Sequence, residues 1–285
     1  MIRILRKFDP RSIRLLVFDL DGTLIDSRLD LIHSVNAMLR HFGRQELEGD
    51  VIASYVGDGA PVLVRRALFG AETTGPAGAG QEAPGQAGLG QGGSGPAGGG
   101  GGEQFFQEAL TYFLGYYRMH KLDHTTVYDG IPEVLRALAN GAAVVGATGG
   151  GAPGGTATDA RSEKSVRPTR VMAVLSNKPV RPSQDIVNAL GLGDFFVRIY
   201  GGNSFATKKP DPLGARTLLE ETGVAATQAL MIGDSGVDVL TGRNAGLWTC
   251  GVTYGFAPHT LEETMPDVVV ERPSELGELF LGSPA

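Results

Sequence analysis

Short apolar runs that end abruptly in polar turns recur along the chain. Ile13 to Phe18 (IRLLVF) is followed at once by Asp-Leu-Asp-Gly, and Val171 to Leu175 (VMAVL) by Ser-Asn-Lys. Phe195 to Tyr200 (FFVRIY) precedes Gly-Gly, Ala229 to Ile232 (ALMI) precedes Gly-Asp-Ser, and a last run covers Trp248 to Val252. Such near-continuous runs are the mark of parallel strands covered on both faces. Between them, helical spacing appears at Ile131 to Leu138, Ser183 to Leu190, Pro212 to Glu221 and Val237 to Asn244, the last two closed by Gly223 and Gly246. Strands alternating with helices predict an α/β fold built on a doubly wound parallel sheet.

The stretch from Leu29 to Tyr117 breaks the alternation. Leu29, Ile32, Val35, Leu39 and Phe42 form one helical stripe, Val62 to Leu68 a second, and Phe105, Phe106, Ala109, Leu110, Phe113, Tyr116 and Tyr117 a third. Three helices with no strand between them predict a small α-helical cap domain at 28–117, inserted after the first strand of a core at 1–27 and 118–285. Composition changes this picture in two places. Of 285 residues 43 are Gly and 16 Pro, and the excess gathers in 70–102 and 141–168. These Gly/Ala/Pro tracts hold too little apolar area to offset the entropy of ordering them, so both read as flexible insertions. Gly90-x-Gly92-x-x-Gly95 spells a dinucleotide fingerprint, but no strand precedes it and the tract is nearly half Gly, so it reads as chance.

Charge and cysteine content exclude several roles. A net charge of −6 without a long Lys/Arg block argues against nucleic-acid binding, which rests on neutralising phosphates. No segment approaches the ~20 apolar residues of a membrane span, and Arg3, Arg6, Lys7, Asp9, Arg11 and Arg14 interrupt any apolar leader core. The single cysteine, Cys250, fits a reducing, cytoplasmic setting.

The chemistry gathers where the strands end. Asp19 and Asp21 stand two apart beyond the first strand, where the side-chain period of two can aim both at one spot. Adjacent carboxylates repel unless a cation or a shared proton relieves them, and an all-oxygen ligand set favours Mg²⁺ over zinc. An EF-hand loop also begins Asp-x-Asp, but it needs Gly where Leu24 stands and a helix where a strand is expected. A surface turn would explain the pair alone. Three further clusters lie at strand ends, where open α/β sheets bind ligands: Ser176-Asn177-Lys178, Lys208-Lys209-Pro210, and Gly233-Asp234-Ser235 with Asp238 beyond. Singly, each has a plainer reading as a helix cap or solvated face. Together they supply nucleophile, second carboxylate, hydroxyl, amide, cation and metal carboxylate, the inventory of phosphoryl transfer through an aspartyl phosphate.

The chain resembles the haloacid dehalogenase-like phosphatases, whose four motifs match FDLDGT (Phe18 to Thr23), Ser176-Asn177, Lys209-Pro210 and GDSGVD (Gly233 to Asp238). Within that family it is similar to the phosphoglycolate phosphatases, through DLDGTLIDSRLDL, VNAMLRHFG, VGDGAPVLVRRAL, VYDGIPEVL and VLSNKP. The resemblance implies a Rossmann-like core with a helical cap and hydrolysis of a small phosphorylated acid such as 2-phosphoglycolate. A sugar-phosphate phosphatase, a pyrophosphatase, a β-phosphoglucomutase-like enzyme or a non-catalytic phosphate-binding scaffold are the alternatives. By resemblance, Asp19 attacks phosphorus, while Asp21 protonates the leaving oxygen and then activates water. Mg²⁺ is held by Asp19, Asp234 and the Asp21 carbonyl. Ser176, the Asn177 amide and Lys209 bind the phosphoryl group, with Asp238 and Thr23 supporting. Arg65 and Arg66 enter as cap cations for a substrate carboxylate, against a plainer role as solvated helix residues.

Overall fold

The computed structural model describes residues 1–70, 101–140 and 170–282, so the insertions expected at 70–102 and 141–168 lie, apart from their outermost residues, outside the described residues. The chain divides into two compact units, Met1–Asp26 with Thr126–Ala285, and Ser27–Thr125. Among the described residues, no helix is long and apolar enough to cross a membrane.

The first unit is built on a seven-stranded sheet. Its strands are β1 (Arg3–Ile4), β2 (Leu15–Phe18), β5 (Val171–Leu175), β6 (Arg198–Tyr200), β7 (Ala229–Gly233), β8 (Trp248–Val252) and β9 (Val268–Val270), in the order β1-β9-β8-β7-β2-β5-β6. All pairs are parallel except β1 with β9. The chain runs outward from β2 through β5 to β6, then returns to β7 on the other side. That reversal makes β2 the switch point where a doubly wound sheet opens a crevice.

The strand runs are continuous because each face has its own core. Leu16, Phe18, Met172, Val174, Leu230 and Ile232 pack on one face with Val134, Leu135 and Leu138 of α5 (Ile131–Asn140), Ile186 and Val187 of α6 (Val180–Ala189), and Leu276 and Phe280 of the C-terminal helix Pro273–Leu281. Leu15, Val17, Ala173, Leu175, Ala229 and Met231 face the other way, onto Ala215 and Leu218 of α7 (Leu213–Thr222) and Ala245 of α8 (Gly236–Ala245). Two-residue alternation within a wholly apolar segment is what a doubly covered sheet requires.

The pattern misled at Phe195 and Phe196. Only Arg198–Tyr200 pairs with β5, because Gly193–Phe195 forms a 3₁₀ turn, with the Phe195 N–H donating to the Leu192 carbonyl at 3.2 Å. Phe196 serves the core instead, its ring edge-on to Phe18.

The second unit holds α1 (Arg28–His41), α2 (Gly49–Ser54), α3 (Ala60–Phe69) and α4 (Gly101–His120). Here the expected stripe on α1 is rotated: Leu29 is exposed, and Leu31, Val35, Met38 and Leu39 form the buried face. The Asp30 carboxylate, buried in the first turn of α1, accepts the backbone N–H of His124 at 3.0 Å and that of Thr125 at 2.9 Å, and the Thr125 hydroxyl at 2.7 Å. It ties α1 to the segment on which the chain returns. In the first unit the outgoing and returning stretches pair as a short ladder, β3 (Ile25–Asp26) against β4 (Thr126–Val127).

Candidate active site

The central strands deliver the polar residues to one edge. Phe18 stands in register with Val174 on one side and Ile232 on the other. Asp19, Ser176 and Asp234 are the first residues beyond β2, β5 and β7. The Asp19 N–H still donates to the Ile232 carbonyl at 2.8 Å, so the position of Asp19 is fixed by the last rung of the sheet. Gly22 then turns the chain with φ +83°, and a Cβ there would run into the Asp234 carboxylate. Only glycine lets this loop close on Asp234.

Carboxylate oxygens of Asp19, Asp234 and Asp238, all buried, lie within 4.8 Å of one another. Their partners separate them by task. Lys209 Nζ donates to Asp19 Oδ1 at 2.7 Å and to Asp238 Oδ1 at 2.6 Å. The other Asp238 oxygen accepts the Ser235 hydroxyl at 2.7 Å and the Ser235 N–H at 3.2 Å, closing a capping box at the start of α8. With both oxygens taken, Asp238 is a fixed anchor for Lys209. Asp234 Oδ2 accepts the Phe256 N–H at 2.6 Å and the Ala257 N–H at 3.3 Å, which orients the carboxylate from the loop after β8.

These distances have electrostatic consequences. Burial raises the Asp19 pKa to about 6, with Lys209 pulling it down and Asp238 and Asp21 pushing it up. Burial also raises Asp234, to about 8, with Asp238 and Asp19 adding to the rise and the two backbone N–H groups opposing it. For Lys209 burial works toward losing the proton, but Asp19 and Asp238 outweigh it and hold the ammonium above the ordinary lysine range. An oxygen cluster in which Asp19 and Asp234 both resist ionisation, beside a lysine firmly charged, fits a hard divalent cation. Asp19 and Asp234 have the chemistry to hold it.

The remaining residues expected from the sequence divide in role. Ser176 is buried, and its Oγ accepts the Lys178 N–H at 3.2 Å. Asn177 donates its side-chain amide to the Lys209 carbonyl at 3.1 Å, tying the β5 loop to the lysine loop. Thr23 is fully buried, its carbonyl accepting the Tyr254 hydroxyl at 3.0 Å. Lys208 is exposed, unlike its neighbour Lys209. Sequence reasoning assigned no role to Lys178, which is buried with its Nζ on both oxygens of Asp21, at 2.7 and 2.8 Å. The available signal was its place directly after Ser176-Asn177 at a strand end. The Phe256 and Ala257 donors carried no signal, since backbone groups leave no mark in side-chain chemistry. Arg65 and Arg66 pair inside the helical unit, with Glu103 at 3.1 Å and Asp58 at 2.8 Å.

Comparison with known proteins identifies the family. The family model for haloacid dehalogenase-like hydrolases matches residues 13–246. A curated phosphoglycolate phosphatase from Vibrio cholerae is 30% identical over 274 residues, covering 96% of this chain and 99% of its own. Its counterpart from Vibrio vulnificus is 29% identical over 276 residues, covering 96% and 98%. Among solved structures, a phosphoglycolate phosphatase assigned as such from Lactobacillus delbrueckii superposes with a TM-score of 0.71 at 24% identity, covering 95% of this chain and 99% of that one. With the fold, the four strand-end motifs and a family match across both units, the chain belongs to the haloacid dehalogenase-like hydrolases, as an enzyme of their phosphatase kind.

Proposed function

We propose that this enzyme is a Mg²⁺-dependent phosphomonoesterase that works through an aspartyl phosphate on Asp19 and acts on a small phosphorylated acid, 2-phosphoglycolate. The observation that carries the reading is Lys209 Nζ bridging Asp19 and Asp238, with Asp234 in the same buried oxygen cluster. A nucleophilic carboxylate meets a phosphoryl group only where positive charge offsets both anions. The 2-phosphoglycolate substrate comes from the curated relatives that bear that name.

In this mechanism a carboxylate oxygen of Asp19 forms a bond to phosphorus as the bond to the leaving oxygen breaks. Asp21 gives that oxygen a proton, releasing glycolate. Water then attacks the phosphorus of the acyl phosphate, Asp21 takes its proton, and the bond to Asp19 breaks to free phosphate and restore the carboxylate. Ser176 Oγ and the Asn177 backbone N–H hold phosphoryl oxygens. Lys209 balances their charge, and Asp238 keeps Lys209 in line. Asp19, Asp234 and the Asp21 carbonyl would hold Mg²⁺, which supplies charge neutralisation at the phosphoryl oxygens.

The test is phosphate release across 2-phosphoglycolate, glucose phosphates, β-glucose 1-phosphate and pyrophosphate at fixed Mg²⁺, repeated in EDTA. The reading expects 2-phosphoglycolate to show the highest kcat/KM and EDTA to abolish turnover. A tenfold preference for a hexose phosphate or pyrophosphate would move the substrate to one of the alternatives. Absence of turnover on every ester would favour a phosphate-binding scaffold.

A further inference from the structure

Two buried lysines serve the site, and only one of them touches the nucleophile. Lys209 is committed to Asp19 and Asp238, whereas Lys178 Nζ lies on Asp21 at 2.7 and 2.8 Å. We infer that Lys178 is the recognition cation for a carboxylate on the substrate's leaving group, making the end of β5 a carboxylate subsite beside the phosphoryl pocket. This rests on the phosphomonoesterase reading above and names how that enzyme selects its substrate.

The argument is one of reach. To receive a proton from Asp21, the leaving oxygen must come within hydrogen-bonding distance of a carboxylate oxygen that Lys178 already touches. The ammonium then lies within about 5.5 Å of the leaving oxygen, two hydrogen-bond lengths in sequence. In a glycolate ester the carboxylate is attached through a single CH₂, which puts its oxygens about 3 Å from the ester oxygen. A leaving group of that length reaches Lys178 without the phosphoryl group shifting from Asp19.

Charge gives the same answer. Asp19, Asp234 and Asp238 gather their carboxylates within 4.8 Å, Asp21 stands two residues from Asp19, and Lys209 and Lys178 donate to this set. An anionic tail entering beside Asp21 meets repulsion unless a cation receives it, and Lys178 stands at that place. A neutral tail of the same length gains no such partner while still covering a buried ion pair.

The experiment compares 2-phosphoglycolate with ethyl phosphate, an ester of the same length without the carboxylate, in wild type, Lys178→Met and Lys178→Arg. Wild type is expected to favour 2-phosphoglycolate. In Lys178→Met both esters lose some kcat, because Asp21 loses its partner. On top of that shared loss, 2-phosphoglycolate loses a further ~10- to 100-fold, mainly through KM, the range for removing a hydrogen bond between charged groups. Lys178→Arg keeps the charge and is expected to keep most of the preference. If Lys178→Met does not fold, Lys178→Gln takes its place. Equal losses on the two esters, with the wild-type preference intact, would reduce Lys178 to a positioning residue for Asp21 and overturn the subsite. A wild type that does not favour 2-phosphoglycolate over ethyl phosphate would instead overturn the substrate reading and the subsite with it.

Discussion

Asp234→Asn is expected to stabilise the metal-free protein and to lose much of that advantage over wild type once Mg²⁺ is present. Asp234 has its pKa raised from 3.8 to about 8 by burial and by Asp238 and Asp19. As pH rises above 3.8 the unfolded chain releases this proton first, so the native state binds more protons and stability falls with pH until about 8. That direction is opposite to the behaviour of a salt-bridged carboxylate. A rise of about 4 units at ~1.4 kcal/mol each sets a ceiling near 6 kcal/mol on what ionised Asp234 costs the metal-free fold. Asparagine keeps the acceptor that Phe256 and Ala257 use, but its buried NH₂ takes back ~1–3 kcal/mol. The remainder is at most about 3–5 kcal/mol at pH 8, a Tm rise of up to about 10 °C for a unit of this size. Melting curves in EDTA at pH 5 and pH 8 measure it, and the gap between variant and wild type should shrink at the lower pH. With Mg²⁺ at ~100 times its Kd, wild type gains about 2.7 kcal/mol and the variant gains little. A metal-free Asp234→Asn protein no more stable than wild type at pH 8 would refute the claim that these carboxylates are held together against their own repulsion.

Asp19→Asn and Asp21→Asn should both abolish steady-state turnover but fail at different steps. With an acyl phosphate, whose leaving group needs no proton, Asp21→Asn should accumulate a hydroxylamine-labile phosphate on Asp19, seen as added mass on the peptide spanning Phe18 to Thr23; Asp19→Asn should not. A label on Ser176 would refute the aspartyl-phosphate mechanism. Gly22→Ala places a methyl against the Asp234 carboxylate at a backbone φ of +83°, so Mg²⁺ titration of activity should show at least ~100-fold weaker dependence, with ~1–3 kcal/mol lost from the fold. Asp30→Ala leaves the His124 and Thr125 N–H groups without their acceptor, and hydrogen exchange should quicken at 124–125 and in the first turn of α1, with about 2–4 kcal/mol lost from the helical unit.

How far the sequence reveals this enzyme depends on which physical signal each part leaves. Strands β2, β5, β7 and β8 stand out because a doubly covered strand must be apolar throughout, and polar turns cut each run at its end. The site was legible for the same reason: Asp19, Ser176 and Asp234 are what the turns begin with, so the motif that ends a strand also names the residue at the sheet's edge. Short edge pieces were not legible. In β1, Arg3 and Ile4 are exposed and hold only a two-rung antiparallel pairing with Val269 and Val268, too brief to set a period. Leu29 misled because stripe counting treats all apolar positions alike, whereas Leu31 and Met38 complete a wider buried face around Val35. The pairing of side chains across loops was hidden altogether. Asp21 and Lys178 are separated by 157 positions, and nothing in either segment says that they meet. Asp238 read as either a weak ligand or a helix residue, and its geometry makes it both helix cap and anchor for Lys209. Residue identity therefore told which charges the site contains, while the balance between them came from topology. Because β2 lies between β5 and β7, one strand's carboxylates meet Lys178 from the loop after β5 and Lys209 from the loop after β6 on one side, and the Asp234–Asp238 turn on the other. Had the strand order been sequential, with β2 at an edge, the same four motifs would have lacked a common meeting point.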